Sequence, residues 1–125
     1  MISDTDVIIW FFRGNAKAVK IIDDTQLRSV CAVTYMELLQ RVRNKQELRG
    51  IRTFLSELNI AIIPLTENIG HRAAIYLEEH VLPSGLTMAD ALIAATAMEL
   101  ALPLCTGNGN HFACIADLEL NLFKP

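Results

Sequence analysis

Short apolar runs alternate with longer helical patterns along the whole chain, and this alternation limits the folds open to it. The sequence predicts strands at residues 1–3, 29–32, 60–63 and 102–106, with a last, edge strand at 118–122. Between them it predicts helices at 5–12, 15–23, 34–57 (as two helices), 67–80 and 87–101. Strands this short and apolar, separated by helices, are typical of a parallel sheet with helices on both faces. We therefore expect a three-layer α/β fold.

The chain has the size and composition of one domain that folds by itself. It has 125 residues, 52% of them hydrophobic, and no repeat, low-complexity tract or linker interrupts it. This apolar content excludes a disordered chain, and a chain of this length needs no disulfide or zinc ion to fold. We expect a single domain over residues 1–125.

Charge and cysteine usage exclude further classes of protein. The chain has 14 acidic and 11 basic residues, a net charge of −3, which argues against a broad basic surface for nucleic acid. The N-terminus lacks the basic start of a signal peptide, and the apolar run 7–12 is too short to cross a bilayer. Cys31, Cys105 and Cys114 lie far apart among apolar residues, so we expect reduced thiols and a cytoplasmic protein without a membrane partner.

The predicted helix near residue 87 carries one acid on an otherwise apolar surface. After Asp90 the sequence continues with eight uncharged residues up to Met98. A helix that is apolar all round is buried, and a carboxylate is rarely placed on a buried helix without a partner. Asp90 is therefore a candidate functional residue.

Asp4 and Glu37 join Asp90 as acids near the predicted starts of helices. Asp4 follows the first predicted strand, and Glu37 follows the second by a few residues. In a parallel sheet, the segments after the strand ends form the ligand crevice. We therefore expect the three carboxylates to share a site.

Each acid also has a structural interpretation, which stays open at the level of sequence. Thr34 with Glu37, and Thr87 with Asp90, fit capping boxes. Asp4 fits a helix N-cap. Glu37 also has the spacing for an ion pair with Arg41, one helical turn further on.

Three converging carboxylates would require compensation for their charge. Two carboxylates about 5 Å apart repel by about 3 kcal/mol at an effective dielectric constant of about 20. A bound cation offsets this repulsion, and hard oxygen ligands favour Mg²⁺ or Mn²⁺ over zinc. Such an ion polarises a phosphate oxygen and activates water, so the chemistry that fits is hydrolysis of a phosphodiester.

Several segments, in order along the chain, resemble the motifs of PIN-domain proteins of the VapC toxin type. The segment Thr87–Ala97, with the sequence TMADALIAATA, resembles the most recognisable motif of that family. Further similar segments are residues 3–9, 12–15, 37–39 and 104–112.

The resemblance implies a magnesium-dependent ribonuclease that forms a homodimer and is blocked by a separate antitoxin. Asp4 and Asp90 match the principal metal-binding aspartates, and Glu37 matches the acid that completes the site. Thr106 and Asn108 match polar positions near it. RNA is the implied substrate, and Mg²⁺ or Mn²⁺ the implied cofactor.

Two positions depart from the family pattern. His111 stands before Phe112 where many relatives have a fourth acid, and Asp6 stands where serine or asparagine is more usual. The missing acid puts a second tightly bound metal in doubt, and Asp6 or Asn108 could supply part of its role. A PIN-like module that binds protein or RNA without catalysis stays an alternative.

Basic residues follow the second acid at helical spacing. Arg41, Lys45, Arg49 and Arg52 would share one face if the helix continued unbroken. They are either a solvated helix face or a contact for RNA or antitoxin. The segment from Gly107 to Asn110 is predicted to be a turn.

Overall fold

Five short strands form one parallel sheet. The computed structural model describes residues 1–125. In chain order the strands β1 to β5 are Ile2–Ser3, Arg28–Cys31, Ile60–Ile63, Leu104–Thr106 and Leu120–Leu122. Their order across the sheet is β3-β2-β1-β4-β5, and every neighbouring pair is parallel. The predicted parallel sheet is confirmed, including the edge position of the last strand, with strand ends that differ by at most two residues.

Seven helices connect and follow the strands. Helices α1 to α7 are Thr5–Phe12, Ala16–Asp24, Ala32–Gln40, Lys45–Glu57, Glu67–Ser84, Met88–Leu100 and Gly109–Phe112. The predicted division of 34–57 into two helices is confirmed. Helix α5 runs past its predicted end and contains Pro83 in its last turn, and Gly85 then ends the helix with φ +65°. The predicted turn over residues 107–110 is present only in part: Gly107 lies in a bend, but Gly109–Phe112 forms the short helix α7.

Both faces of the sheet are covered by helices, as the sequence predicted. Neighbouring strand residues belong to opposite layers of the core, because side chains alternate along a strand. Val30 and Cys105 pack with α1 to α4, whereas the adjacent Cys31 and Leu104 pack with α6 and the segment that follows it. The chain is therefore a three-layer α/β structure.

Helix α6 is the buried helix that the sequence predicted. Six of its residues are buried: Ala91, Ile93, Ala94, Ala95, Thr96 and Ala97. Among the helices, α6 packs mainly against α5, and its small alanine side chains allow this close packing. The first turn of α6 lies at the edge of the sheet where the parallel strands end.

The structure contains neither a disulfide bond nor a helix that could cross a membrane. All three cysteines are free thiols, with Cys31 and Cys105 buried and Cys114 half-buried. None of the helices combines the length and the apolar character that crossing a bilayer requires.

Candidate functional site

Asp4 lies directly after β1 and is held by two hydrogen bonds. Its Oδ1 accepts from the backbone N–H of Thr5 at 2.7 Å, so the residue is the N-cap of α1. Its Oδ2 accepts from the hydroxyl of Thr106 at 2.7 Å. Thr106 ends β4, the strand beside β1, so the two residues meet across the sheet although 102 positions separate them. Only 5% of Asp4 is exposed.

The surroundings of Asp4 disfavour its charged form. Burial raises the pKa of Asp4 to about 6, while the hydrogen bonds from Thr106 and Thr5 act in the opposite direction. The negative charges of Asp6 and Asp90 also contribute to this raised pKa. The three aspartates are therefore close enough to interact electrostatically.

Asp6 holds the loop that follows β4. Its Oδ2 accepts from the backbone N–H of Gly107 at 2.8 Å, and its Oδ1 accepts from Val7 N–H at 2.9 Å. Burial raises the pKa of Asp6, and these two hydrogen bonds oppose the change. A Cβ at position 107 would lie 2.5 Å from Asp6 Oδ2 and 3.3 Å from the carbonyl oxygen of Phe123, so this close approach requires glycine.

Glu37 is bound by Thr5, a residue that the sequence analysis did not single out. The hydroxyl of Thr5 donates to Glu37 Oε1 at 2.7 Å, and it lies 3.2 Å from the hydroxyl of Thr34. Thr5 is next to Asp4 in sequence, so one turn of α1 contacts both predicted acids. Adjacency to Asp4 was the only signal in the sequence for this role.

The structural interpretations of Glu37 were both wrong. Helix α3 begins at Ala32, immediately after β2, with Cys31 as its N-cap. Thr34 therefore lies inside the helix and cannot form a capping box with Glu37. No ion pair joins Glu37 to Arg41.

Asp90 contacts His111 rather than closing its capping box. Thr87 is the N-cap of α6, and its hydroxyl accepts from Asp90 N–H at 3.2 Å, which is half of the predicted box. The carboxylate Oδ2 lies 3.2 Å from His111 Nδ1, with 18% of the Asp90 side chain exposed. The histidine at the position of the missing fourth acid is therefore part of the same cluster.

The structure brings the predicted site residues together to different degrees. Asp4 contacts Thr106 directly, and the charges of Asp6 and Asp90 act on it. Glu37 joins the group through Thr5. Asn108 is exposed, and its backbone N–H donates to the Thr106 hydroxyl at 3.0 Å.

The carboxylate oxygens of Asp4, Asp6, Glu37 and Asp90 are the type of donor that hard divalent cations prefer. No Lys or Arg side chain pairs with Asp4, Asp6, Glu37 or Asp90, so their negative charge is left without a basic partner except His111. As the side chains stand, no three of the acidic, histidine or cysteine groups are arranged to hold a metal ion. Asp4, Glu37 and Asp90 are instead held by Thr106, Thr5 and His111, respectively.

The basic residues do not form the single helical face that an unbroken helix would give. Arg41 ends α3 and Lys45 begins α4, and the segment between them is not helical. Arg41 instead lines a groove of about 660 Å³ between α1, α3 and α4, which we call the α1–α4 groove. Lys45 and Arg49 are exposed and lie outside the lining of this groove.

The α1–α4 groove has apolar walls and basic side chains. Its lining residues are Ile9, Phe12, Arg13, Leu38, Arg41, Val42, Arg43, Glu47, Gly50 and Ile51. Arg43 pairs with Glu47 at 3.0 Å, and Arg13 lies over the ring of Trp10. Arg41 has no acidic partner within 4.0 Å.

Comparison with known proteins identifies the family. The model of the PIN domain family matches residues 1–118. The chain belongs to the PIN domain family. No curated protein matches this PIN domain in a sequence search.

Several solved structures have a similar fold, and one of them is a toxin–antitoxin complex. One is a toxin–antitoxin complex from Klebsiella pneumoniae, with 26% identity, a TM-score of 0.78, and coverage of 94% of this PIN domain and 93% of the other chain. FitAcB from Neisseria gonorrhoeae has 25% identity, a TM-score of 0.72, and coverage of 95% and 94%. VapBC-1 from nontypeable Haemophilus influenzae, at 22% identity, has a TM-score of 0.81 and coverage of 97% and 96%.

Proposed function

We propose that this PIN domain is a metal-dependent endoribonuclease that hydrolyses RNA phosphodiester bonds with Mg²⁺ or Mn²⁺. The observation that carries the proposal is the acidic cluster: Asp4 is buried beside Asp6 and Asp90, and none of them has a lysine or arginine partner. Like charges beside a buried carboxylate destabilise a fold unless a ligand offsets them. A cation that also attracts a phosphate meets that requirement.

The residues have distinct proposed roles in the reaction. Asp4, Glu37 and Asp90 would hold the ion, which when bound supplies a Lewis acid that polarises phosphate and lowers the pKa of water. Thr106 and Thr5 orient the carboxylates of Asp4 and Glu37 through the hydrogen bonds described above. Asp6 fixes the loop that carries Asn108, and both remain auxiliary residues.

We also propose that the enzyme is the toxin of a VapBC-type toxin–antitoxin pair. The similarity at 26% identity to a chain of a toxin–antitoxin complex supports an antitoxin partner. The family resemblance also implies a homodimer, which we include in this proposal. We further propose that residues 1–125 act as one domain.

Cleavage of a labelled single-stranded RNA tests the enzymatic proposal. Wild-type protein with millimolar Mg²⁺ or Mn²⁺ is expected to cut the RNA, and EDTA is expected to abolish cutting. Asp90→Asn removes one proposed ligand and should lower the rate by about 100-fold or more, since charge stabilisation at a reacting phosphate contributes several kcal/mol. A single-stranded DNA of the same sequence tests the preference for RNA.

Asp117→Asn is the matched control for Asp90→Asn. Asp117 is exposed and precedes β5, so it lies at the edge of the sheet opposite to the acidic cluster. This variant should cut at the wild-type rate. Equal rates for wild type and Asp90→Asn, with and without EDTA, would favour the alternative of a binding module without catalysis.

The α1–α4 groove is our proposed docking site for the antitoxin. It lies on α1 and α3, the two helices that carry Asp6 and Glu37, and it combines apolar walls with the unpaired Arg41. An amphipathic segment with an acidic side chain complements both features. Lys45 and Arg49, on the exposed side of α4, are proposed as further contacts for RNA or antitoxin.

Reversal of the charge at Arg41 tests this docking site. Arg41→Glu should weaken binding of the protein encoded by an adjacent antitoxin gene by about tenfold or more, because like charges then meet at the interface. Lys17→Glu reverses a charge on the exposed surface of α2, outside the groove, and should leave the affinity unchanged. Titration calorimetry measures both, and equal affinities would place the antitoxin elsewhere.

A further inference from the structure

A second groove, which we call the β5 groove, adjoins the acidic cluster on the side of β5. It has a volume of about 280 Å³, with residues 107–111 on one wall and residues 122–124 on the other. Thr106 joins this groove to the cluster. Its hydroxyl donates to Asp4 Oδ2 at 2.7 Å, and its carbonyl accepts from Phe123 N–H at 2.8 Å. A molecule in the β5 groove would therefore lie next to the proposed reaction centre.

The walls of the β5 groove are fixed by contacts outside it and between them. Gly107 N–H donates to Asp6 Oδ2 at 2.8 Å, which ties one wall to α1. A Cβ at Gly109 would lie 2.5 Å from Leu122 Cδ2, so the two walls touch at this point. A groove whose walls are already held in place costs little ordering when a ligand binds.

The side chains of the β5 groove combine one free cation with amides and an apolar surface. Lys124 is the only lysine or arginine in the lining, which contains no aspartate or glutamate, and it has no acidic partner within 4.0 Å. Asn108 and Asn110 are exposed, and the amide of Asn108 does not cap α7. Leu122 is 65% exposed.

This combination fits one nucleotide of a single-stranded RNA. A lysine binds a backbone phosphate as a point charge. Asparagine amides both donate and accept, so they can pair with the edge of an unpaired base, while an apolar side chain contacts its face. The volume is close to the lower limit of about 300 Å³ for ligand pockets, which leaves no room for a duplex or a protein helix.

We propose that the β5 groove is the subsite for the nucleotide beside the scissile phosphate, with Lys124 on a backbone phosphate and Asn108 and Asn110 on the base. The inference rests on the proposed function, since it takes RNA to be the substrate. It goes beyond that function by assigning the residues that select the base and by directing the strand along the β5 side of Thr106.

A nuclear magnetic resonance titration of the nitrogen-15-labelled protein with the RNA trinucleotides AAA, CCC and UUU tests the location. EDTA is present throughout, so that binding is measured apart from cleavage. The side-chain amide signals of Asn108 and Asn110 should shift, and the affinities for the three trinucleotides should differ. Shifts confined to another surface, such as the α1–α4 groove, would overturn the proposal.

Replacement of Lys124 tests the phosphate contact. Lys124→Gln should weaken binding of all three trinucleotides alike, by about fivefold, because a phosphate contact carries no sequence information. The slope of log affinity against log salt concentration should fall by about 0.7, the value for one phosphate of a single strand. Lys17→Gln, on the exposed surface of α2, should change neither quantity. An unchanged slope in Lys124→Gln would overturn the role of this lysine.

Replacement of Asn110 tests the reading of the base. Asn110→Ala should weaken the best-bound trinucleotide by about tenfold and the other two less, because base contacts set the preference. Asn68→Ala, at an exposed position of α5 that follows the opposite edge strand β3, should leave all three affinities unchanged. An equal loss for all three trinucleotides in Asn110→Ala would overturn base reading by this residue.

Failure of this inference and failure of the proposed function give different results. Trinucleotide binding in the β5 groove by a protein that cuts no RNA would support the groove as an RNA site and overturn the proposed hydrolysis. RNA cleavage by a protein whose Asn108 and Asn110 signals do not shift would support the hydrolysis and overturn the groove.

Discussion

Asp4→Asn is expected to stabilise the metal-free protein at pH 8 and to abolish its response to Mg²⁺. Burial raises the pKa of Asp4 from its ordinary value of 3.8 to about 6, so the folded state binds this proton more tightly than the unfolded chain. The ionised carboxylate therefore costs nothing below about pH 4, and its cost grows with pH and is complete above about pH 6. At pH 8 the shift corresponds to roughly 3 kcal/mol, from which any weakening of the contact with Thr106 is subtracted.

Urea unfolding in EDTA at pH 4 and at pH 8 measures this effect. The difference in free energy of unfolding between Asp4→Asn and wild type should be near zero at pH 4 and favour the variant at pH 8. Asp117→Asn, an exposed control, should match wild type at both values. A variant less stable than wild type at pH 8 would mean that the hydrogen bonds of Asp4 outweigh the cost of burying its charge.

Addition of Mg²⁺ at pH 8 should narrow the difference in free energy of unfolding between the two proteins. Wild type gains about 1.4 kcal/mol at a concentration ten times the dissociation constant, because the ion binds only the folded state. Asp4→Asn lacks a proposed ligand and should gain little. An equal gain in both proteins would exclude Asp4 as a ligand.

Phe112→Ala is expected to be among the most destabilising single substitutions in the chain. Phe112 is fully buried in the core layer that includes Ile2, Ile93 and Leu104. Removal of a buried aromatic ring costs about 3–5 kcal/mol, and a domain has only about 5–15 kcal/mol in total. The loss should also free α7, and with it His111.

Two matched substitutions locate the cause of that loss. Phe112→Leu keeps most of the apolar volume and should cost less than about 1.5 kcal/mol. Phe12→Ala removes the same ring from a residue that is 45% exposed and packs on Phe54, so we expect a cost of about 1 kcal/mol. Thermal and urea unfolding measure all three, and equal losses in Phe112→Ala and Phe12→Ala would contradict the burial argument.

The sheet and most helices were predictable because they follow from local patterns. The apolar run at 60–63 and the uncharged stretch after Asp90 each indicate an element by themselves, and parallel topology then places the strand ends at one edge. A capping residue in the sequence also indicates the break between α3 and α4. Asn44 caps α4 through Glu47 N–H, which fits the spacing of a capping motif.

The contacts within the site were not predictable, because they join residues distant in sequence. Thr5 and Glu37 are 32 positions apart, and their hydrogen bond depends on where α3 begins. Helix α3 begins earlier than predicted because no loop separates it from β2. The helix propensities of the residues do not indicate this early start. The contact of His111 with Asp90 similarly requires the short helix α7, whose glycines and asparagines favour a turn.

The central position of β1 sets an order of events during synthesis of the protein. β1 is made first, yet it lies between β2 and β4, and Asp4 needs the hydroxyl of Thr106 beside it. A growing chain therefore carries its first acid for about a hundred residues before the strand that orients it exists. A ribosome-bound fragment that ends before β4 should therefore lack the hydrogen bond that orients the Asp4 carboxylate.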